Sequence, residues 1–381
     1  MKELSECRIL VVDDVKSNVD VLVQALKADY KLSVAFDGEA ALESVARSAP
    51  DLILLDIVMP GIDGYEVCRR LRAAKQTMDI PVMFLSSLEE VADKARGFEV
   101  GGNDYLTKPF EILEVKARVR SLVKAKSYAD AVKEAMERDL RIAREIQMGI
   151  LPADLTACTR GTGLDISAIL EPAQLVGGDL YEALRVDDRI VAALGDVSGK
   201  GIPASLFMAV TMTLLRSMAR QFASPDEVLR RVNDELTVSN PRGMFVTLCC
   251  AVFDLQTGRV TCASAGHHAA VLLAPGRPPR LVFSSSGPVL GLLPGAQFTS
   301  ETLSFEPGET LVLFSDGVTE AYDPSQELFE EERVLEQLAR EPGTTAAETV
   351  ASVFGAVLRH AAGAPQSDDL TILAVHRRPA S

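Results

Sequence analysis

Aspartates that follow strand-like runs are the residues of this 381-residue chain most suited to chemistry. One of them, Asp196, lies in the glycine-rich loop Gly195–Gly201, after the apolar run Arg189–Leu194 that predicts a strand. Glycine permits positive φ and close backbone approach, so this loop can hold a carboxylate at the end of a buried strand. Comparable aspartates follow or precede other strand-like runs: Asp179, Asp316, Asp368 and Asp369. Aspartates gathered from distant parts of a chain supply the oxygen ligands that Mg²⁺ or Mn²⁺ prefers.

A second group of polar residues falls at predicted strand ends within residues 1–125. Short apolar strands alternate with helices there, which predicts a flavodoxin-like, doubly wound parallel sheet with helices on both faces. The carboxyl ends of such strands bind ligands, and here they carry Asp13, Asp14, Asp56, Ser86 and Lys108. Three carboxylates in one crevice are costly unless a cation such as Mg²⁺ neutralises them. Any one aspartate could instead cap a helix, but the five positions together favour a phosphoryl-binding site.

Composition limits the function and the compartment. A net charge of −15 and a pI of about 4.9 argue against a nucleic-acid-binding protein. Six cysteines without CxxC spacing predict reduced, buried thiols rather than a disulfide or zinc framework. The N-terminal sequence has no signal-peptide core, and the longest apolar helical run, Ile202–Leu215, is too short to span a bilayer. We therefore expect a cytoplasmic protein without a membrane segment.

Residues 126–155 predict a helical connector. The apolar positions recur every three or four residues, which indicates an amphipathic helix that ends before Pro152. They are Val132, Met136, Leu140, Ala143, Ile146 and Ile150. This stripe must be covered, either by a second copy in a coiled-coil homodimer or by packing within one chain. The spacing is looser than a strict heptad, so both alternatives stay open, with dimerisation favoured.

Residues 156–381 are richer in strands. Hairpin signals separate the strands, and one helix pair falls in the middle of the segment and another near its end. This order predicts an α-β-β-α sandwich, in which two antiparallel sheets pack between helix pairs. The adjacent His267 and His268 fit neither metal chelation nor a nucleophilic triad, so we interpret them as structural or rim residues.

Three motifs in the first segment resemble the receiver domain of two-component response regulators. They are Val12–Asp14, Leu54–Gly61 and Tyr105–Phe110. The resemblance implies that Asp56 accepts a phosphoryl group from a histidine kinase and that Asp13, Asp14 and Asp56 bind Mg²⁺ with the Val58 carbonyl. It also implies that Ser86 and Lys108 contact the phosphoryl oxygens and that Tyr105 is the aromatic residue that moves inward on activation.

Five motifs in the last segment resemble the metal-dependent serine/threonine phosphatases of the PPM family, closest to its bacterial sporulation and stress-response branch. They are Val176–Asp179, Gly195–Gly201, Ala265–His268, Phe314–Glu320 and Ser367–Thr371. The resemblance implies two Mn²⁺ or Mg²⁺ ions, bridged by Asp196 and held also by the Val197 carbonyl, Asp179, Asp316 and Asp368. Asp369, where many members have asparagine, is a further candidate ligand. No counterpart of the phosphate-binding arginine of eukaryotic members is evident, so we expect the metal ions to bind most of the substrate phosphate.

The combined resemblance implies that the receiver regulates a phosphatase. The activated water would attack phosphoserine or phosphothreonine directly, and the substrate would be a phosphorylated anti-sigma-factor antagonist. Phosphorylation of Asp56 would act through the connector on the predicted helices Pro203–Arg220 and Pro225–Ser239. The alternative is a non-catalytic adaptor, in which the receiver dimerises and the last segment only binds a partner. A diguanylate cyclase output has no support because no GG[DE]EF-like segment is present.

Overall fold

The computed structural model describes residues 3–87, 91–238 and 240–379. The chain divides into two compact units, Met1–Arg138 and Asp139–Ser381. Ser239, the predicted end of one helix, lies outside the described residues.

The first unit is a five-stranded parallel sheet with strand order β2-β1-β3-β4-β5. The strands are β1 (Arg8–Val12), β2 (Lys31–Ala35), β3 (Leu52–Asp56), β4 (Val82–Ser86) and β5 (Asp104–Thr107). The helices are α1 (Lys16–Leu26), α2 (Gly38–Arg47), α3 (Gly64–Ala73), α4 (Val91–Glu99) and α5, which begins at Ile112. Every residue of β3 and β4 is buried. Apolar side chains of α1 and α5 cover one face of the sheet, and those of α2 and α3 cover the other, which confirms the doubly wound prediction.

Helix α5 is one continuous helix of 39 residues, Ile112–Ile150. The predicted connector helix is therefore a direct continuation of the last receiver helix. The chain has no glycine or proline from Phe110 to Met148, so nothing interrupts the backbone hydrogen bonds. The predicted boundary at residue 125 therefore falls inside a helix, and the compact units divide between Arg138 and Asp139.

The second unit contains two five-stranded sheets, with strand orders β13-β10-β9-β8-β7 and β12-β11-β14-β15-β6. The first sheet is built from β7 (Leu180–Val186), β8 (Arg189–Val197), β9 (Val246–Asp254), β10 (Arg259–Ala265) and β13 (Glu301–Ser304). The second is built from β6 (Leu164–Glu171), β11 (Ala270–Leu273), β12 (Arg280–Val282), β14 (Thr310–Phe314) and β15 (Leu370–Arg377). All pairings are antiparallel.

Helices cover both outer faces of the two sheets. The helices of this unit are α6 (Thr156–Thr159), α7 (Ile202–Gln221), α8 (Pro225–Val238), α9 (Asp316–Thr319), α10 (Glu330–Arg340) and α11 (Ala346–Ala361). Of these, α6 contacts the edge strands β6 and β7. Between the sheets, Leu194 and Phe253 pack with Leu311 and Leu373 in one buried cluster. Residues of α7 and α8 form a second cluster with the first sheet, and those of α10 and α11 form a third with the other sheet. The predicted α-β-β-α order is confirmed.

Helix α7 is longer than its apolar run suggests. It has 20 residues and is long and apolar enough, by length and composition alone, to cross a membrane. The sequence-based argument that this run is too short is therefore wrong. Met208, Met212 and Leu215 are fully buried and pack against the first sheet and α8. We interpret α7 as a core helix on this packing.

Candidate active site

The receiver unit gathers three carboxylates at the carboxyl edge of its sheet. Ligand oxygens of Asp13, Asp14 and Asp56 all lie within 4.8 Å of one another. Asp13 follows β1 and Asp56 ends β3, and both are buried, whereas Asp14 is exposed. The Lys108 ammonium lies 2.7 Å from Asp13 Oδ2 and 2.7 Å from Asp56 Oδ2. The predicted convergence of these four residues is present in the structure.

The charges in this crevice depend on one another. Burial raises the pKa of Asp56, and the hydrogen bond from Lys108 opposes that rise. Burial alone would lower the pKa of Lys108, but its bonds to Asp13 and Asp56 outweigh burial and raise it. Three carboxylates facing one ammonium leave an excess of negative charge. A divalent cation bound by oxygen ligands fits this donor set.

The remaining predicted receiver residues lie around this crevice. Ser86 ends β4, is buried, and its carbonyl accepts a hydrogen bond from the Lys108 amide at 2.8 Å. Tyr105 lies on β5 with 8% of its surface exposed, so its ring is already in a buried position. Val58 lies in the loop after β3. Asp13 also accepts hydrogen bonds from the Val15 amide and the Asn18 side chain, so it fastens the start of α1 as well.

In the second unit, carboxylates from both sheets meet at one edge of the sandwich. Asp196 lies inside β8, opposite Thr247 of β9, and Asp179 immediately precedes β7. Asp316 begins α9 directly after β14, and Asp368 and Asp369 precede β15. Thr371 Oγ1 of β15 donates a hydrogen bond to Asp179 Oδ2 at 2.5 Å, which joins the two sheets at the site.

The loop predicted at Gly195–Gly201 is shorter in the structure. Strand β8 continues through Gly195, Asp196 and Val197, so only residues 198–201 form the turn. A Cβ at residue 195 would lie 2.5 Å from the Thr247 carbonyl oxygen, so that glycine serves close strand pairing. Gly199 and Gly201 have positive φ values of 89° and 73°, and they provide the conformational freedom expected of the loop.

The carboxylates of this cluster raise one another's pKa. Asp179 is 1% exposed, and burial followed by the Asp196 charge raises its pKa well above the usual range. Burial and the Asp316 charge raise the pKa of Asp196 to about 7. Burial and the Asp368 charge likewise raise that of Asp316. Carboxylates placed so closely ionise together only beside cations, so the donor set fits divalent metal ions.

The second cluster is more open than the receiver crevice. Among the described residues, only the receiver group brings three ligand oxygens within 4.8 Å of one another. Val197, predicted to offer its carbonyl, ends β8, and that oxygen would lie 2.7 Å from a Cβ at residue 178. Gly178 is therefore needed beside this carbonyl.

Asp369 has a different position from the other carboxylates. Its Oδ1 accepts a hydrogen bond from the Ala173 amide at 2.9 Å, and its Oδ2 accepts one from the Gly178 amide at 2.7 Å. A Cβ at residue 177 would lie 2.0 Å from Oδ2, which explains the glycine there. Both oxygens thus hold the loop that carries Asp179. Asp369 thus positions this loop, and its role as a metal ligand stays a prediction.

The two histidines differ as expected for structural and rim residues. His267 is buried, its Nε2 donates to the Phe314 carbonyl at 3.1 Å, and its Nδ1 accepts from Thr247 Oγ1 at 2.9 Å. It therefore ties β9 of one sheet to β14 of the other beside Asp196 and Asp316. Burial, with a smaller contribution from His268, lowers the pKa of His267 to about 3. His268 is exposed and stacks against Phe314.

Two contacts at the site have little signal in the sequence. The Gln147 side chain near the end of α5 donates to the Gly177 carbonyl at 2.7 Å and accepts from the Gly177 amide at 3.2 Å. Lys200 Nζ lies 2.9 Å from Asp368 Oδ2. Each pair is far apart along the chain, so spacing alone could not join them. Proximity of Lys200 to Asp196 in the glycine-rich loop was the one available indication.

Comparisons with known proteins agree with both units. The receiver model, response regulator receiver domain, matches residues 9–120, and the model for stage II sporulation protein E matches residues 186–378. The protein IcfG of Synechocystis sp. is 30% identical over 293 residues, which are 69% of this chain and 44% of that protein. The response regulator PleD of Caulobacter vibrioides is 45% identical over 128 residues, which are 33% of this chain and 28% of that protein. The chain thus spans less than half the length of either relative.

Solved structures resemble the second unit. The SiaA-PP2C domain of Pseudomonas aeruginosa has a TM-score of 0.57 at 19% identity, covering 65% of this chain and 98% of that one, and shows the shared fold. The RsbU and RsbW domains of a Mycobacterium tuberculosis protein have a TM-score of 0.50 at 26% identity, covering 57% of this chain and 61% of that one. The chain therefore belongs to the stage II sporulation protein E family and joins a response-regulator receiver domain to a PP2C-type phosphatase domain.

Proposed function

We propose that this chain is a response regulator whose receiver controls a metal-dependent protein serine/threonine phosphatase. The observation that carries the proposal is the meeting of Asp179, Asp196, Asp316 and Asp368, drawn from two sheets, at one edge of the sandwich. The membership of this unit in a phosphatase family supports the same reaction.

The four carboxylates, with the Val197 carbonyl, would hold two Mn²⁺ or Mg²⁺ ions. Such ions make water nucleophilic at neutral pH and stabilise charge on a transferring phosphoryl group. The chain's own part is to position the ligands. Thr371 and Asp369 fix Asp179 and its loop, and His267 ties the two strands that lead to Asp196 and Asp316.

The proposed substrate is a protein carrying phosphoserine or phosphothreonine, specifically a phosphorylated anti-sigma-factor antagonist. The family resemblance and the likeness to an RsbU domain at 26% identity support this class of substrate. The net charge of −15 supports the accompanying proposal that the chain binds neither nucleic acid nor a membrane surface. We also propose that it works in the cytoplasm.

In the receiver, Asp56 would accept a phosphoryl group from the phosphohistidine of a kinase. The Asp56 oxygen forms the new bond to phosphorus as the P–N bond to histidine breaks. Asp13, Asp14 and the Val58 carbonyl would hold Mg²⁺, while Lys108 and Ser86 would contact the phosphoryl oxygens. The position of Lys108, 2.7 Å from Asp56 Oδ2, supports this assignment.

We propose that the signal reaches the phosphatase through α5. The end of this helix contacts the phosphatase unit through Gln147, which is bonded to Gly177 two residues before Asp179. It also contacts α7, because Arg216 Nη2 donates to the Ile150 carbonyl at 2.5 Å while Arg216 pairs with the buried Glu182. A shift of α5 would therefore displace both the loop that carries Asp179 and helix α7.

The middle of α5 supports a homodimer. Val132, Met136 and Ile146 of the predicted stripe are 68%, 61% and 63% exposed. Apolar side chains at this spacing gain free energy when a second helix covers them. We propose a coiled-coil homodimer along α5.

The test of this function is dephosphorylation of candidate antagonist proteins by the purified full-length chain. We expect Mn²⁺-dependent release of phosphate from phosphoserine, lost on chelation and restored by Mn²⁺. Absence of turnover on every candidate and on a generic phosphate ester would instead favour the adaptor hypothesis.

A further inference from the structure

We infer that Lys200 binds the substrate phosphate at the phosphatase site. Eukaryotic members of the family use an arginine for this role, and the sequence offers no counterpart of it. This inference rests on the proposed phosphatase function. It assigns to the chain a substrate-binding residue that acts in addition to the metal ions.

Lys200 is the cationic side chain that contacts the second carboxylate cluster within the described part of the chain. Its ammonium lies 2.9 Å from Asp368 Oδ2 and donates to the Ser367 carbonyl at 2.5 Å. The side chain is 47% exposed, so it lies at the mouth of the site rather than in the core. A group that must meet an incoming phosphoprotein needs this position.

The turn that carries Lys200 is held by Ser198, on the N-terminal side of the lysine. The Ser198 amide donates to the Phe245 carbonyl at 2.9 Å, and the Phe245 amide donates to Ser198 Oγ at 2.9 Å. Gly199 and Gly201 flank Lys200 with positive φ, and α7 begins directly afterwards. The backbone of residue 200 is therefore held close to Val197, whereas the exposed lysine side chain is free to change its rotamer.

Charge balance explains why a further cation is useful. Four carboxylates would neutralise two divalent ions, so a phosphomonoester dianion would meet a site with little net positive charge. Lys200 is bonded to Asp368. When a divalent ion shares the Asp368 charge, the attraction between Asp368 and Lys200 weakens, and the ammonium can turn to a phosphate oxygen.

His268 is the other basic group beside the cluster, and it is less suited to this role. It is exposed and stacks on Phe314, and its charge acts on Asp316. The stack holds the imidazole ring in place, whereas the Lys200 ammonium ends a flexible chain that can reach a phosphate oxygen. The competing explanation for Lys200 is a purely structural one, in which it only holds Asp368 and Ser367 in place.

The two explanations separate when metal binding and phosphate binding are measured independently. We would titrate Mn²⁺ into the full-length chain and then inorganic phosphate into the Mn²⁺-saturated chain, both by calorimetry. Lys200→Met removes the charge and keeps the length, and Lys200→Arg keeps the charge. Lys116→Met, at a receiver lysine 43% exposed, is the matched control.

For Lys200→Met we expect Mn²⁺ affinity to be unchanged or higher and phosphate affinity to fall about tenfold, the loss of one charge-assisted hydrogen bond. KM for para-nitrophenyl phosphate should rise by a similar factor with a smaller change in kcat, and Lys200→Arg should restore most of the phosphate affinity. Two results would overturn the inference but not the proposed phosphatase function. One is an unchanged phosphate affinity in Lys200→Met, and the other is weaker Mn²⁺ binding with normal phosphate affinity at saturating Mn²⁺. A wild-type chain that binds neither Mn²⁺ nor phosphate would overturn the proposed function and this inference with it.

Discussion

Gln147 offers a direct test of the link between α5 and the metal loop. Its side chain is 6% exposed, and it bonds to both the carbonyl and the amide of Gly177. Gln147→Met keeps the length of the side chain but removes both hydrogen bonds. Two buried backbone groups would then lack partners, each at a cost of about 1–3 kcal/mol. Partial compensation by water makes a total loss of about 2–4 kcal/mol reasonable.

Part of this loss should appear in metal binding, because Gly177 lies against Asp369 and precedes Asp179 by two residues. If reordering the loop takes about 1.4 kcal/mol from the free energy of metal binding, Mn²⁺ affinity falls about tenfold. The assays are urea unfolding and Mn²⁺ calorimetry on the full-length chain. Gln221→Met is the control, since Gln221 makes exposed bonds to Ser217 at the end of α7. A Gln147→Met chain with wild-type stability and wild-type Mn²⁺ affinity would refute the reasoning.

Three other predictions concern pH, assembly and signalling. The folded chain keeps His267 neutral down to about pH 3, whereas the unfolded chain protonates it near pH 6.5. The free energy of unfolding therefore decreases as the pH is lowered from 6.5 towards 3. The slope due to this residue is about 1.4 kcal/mol per pH unit, and His267→Asn should flatten it in unfolding curves measured from pH 7 to 5. Met136→Glu should convert the proposed dimer to monomer in sedimentation analysis, whereas a dimer that survives would remove α5 as its interface. Beryllofluoride should change turnover of the wild-type chain but not of Asp56→Asn, and identical rates with and without it would contradict control by the receiver.

The sequence predicted the receiver well because its signals are local. Each strand is a short apolar run with a functional residue at its carboxyl end, and parallel topology brings those ends together. Asp13, Asp56 and Lys108 could thus be placed in one crevice before any coordinates. The helical connector continues the last receiver helix because no glycine or proline separates them.

The second unit was predicted less completely because its short edge strands lack a strong pattern. Strands β12 and β13 have three and four residues, mostly exposed, and hydrophobic alternation is not visible over that length. Strand β8 was predicted to end before Gly195, since glycine usually weakens a strand, but close pairing with β9 requires it there.

Roles that depend on contacts between distant residues were outside the reach of sequence patterns. Asp369 looks like a ligand beside Asp368, yet its two oxygens hold backbone amides of the loop around Gly178. Gln147 reaches Gly177, 30 residues away, only because α5 ends against the metal loop. Residue type predicted which groups could bind a metal, and tertiary contacts showed which residues position the loop of Asp179.

Asp196→Asn provides the most direct test of the central claim, that the carboxylates gathered at this edge hold the metal ions of a protein phosphatase. We would measure hydrolysis of a phosphoserine protein and Mn²⁺ binding for the wild-type and variant chains, with circular dichroism as the check of fold. We predict a folded variant that binds Mn²⁺ at least tenfold more weakly and has no measurable turnover. A folded variant that retains wild-type turnover would contradict the claim.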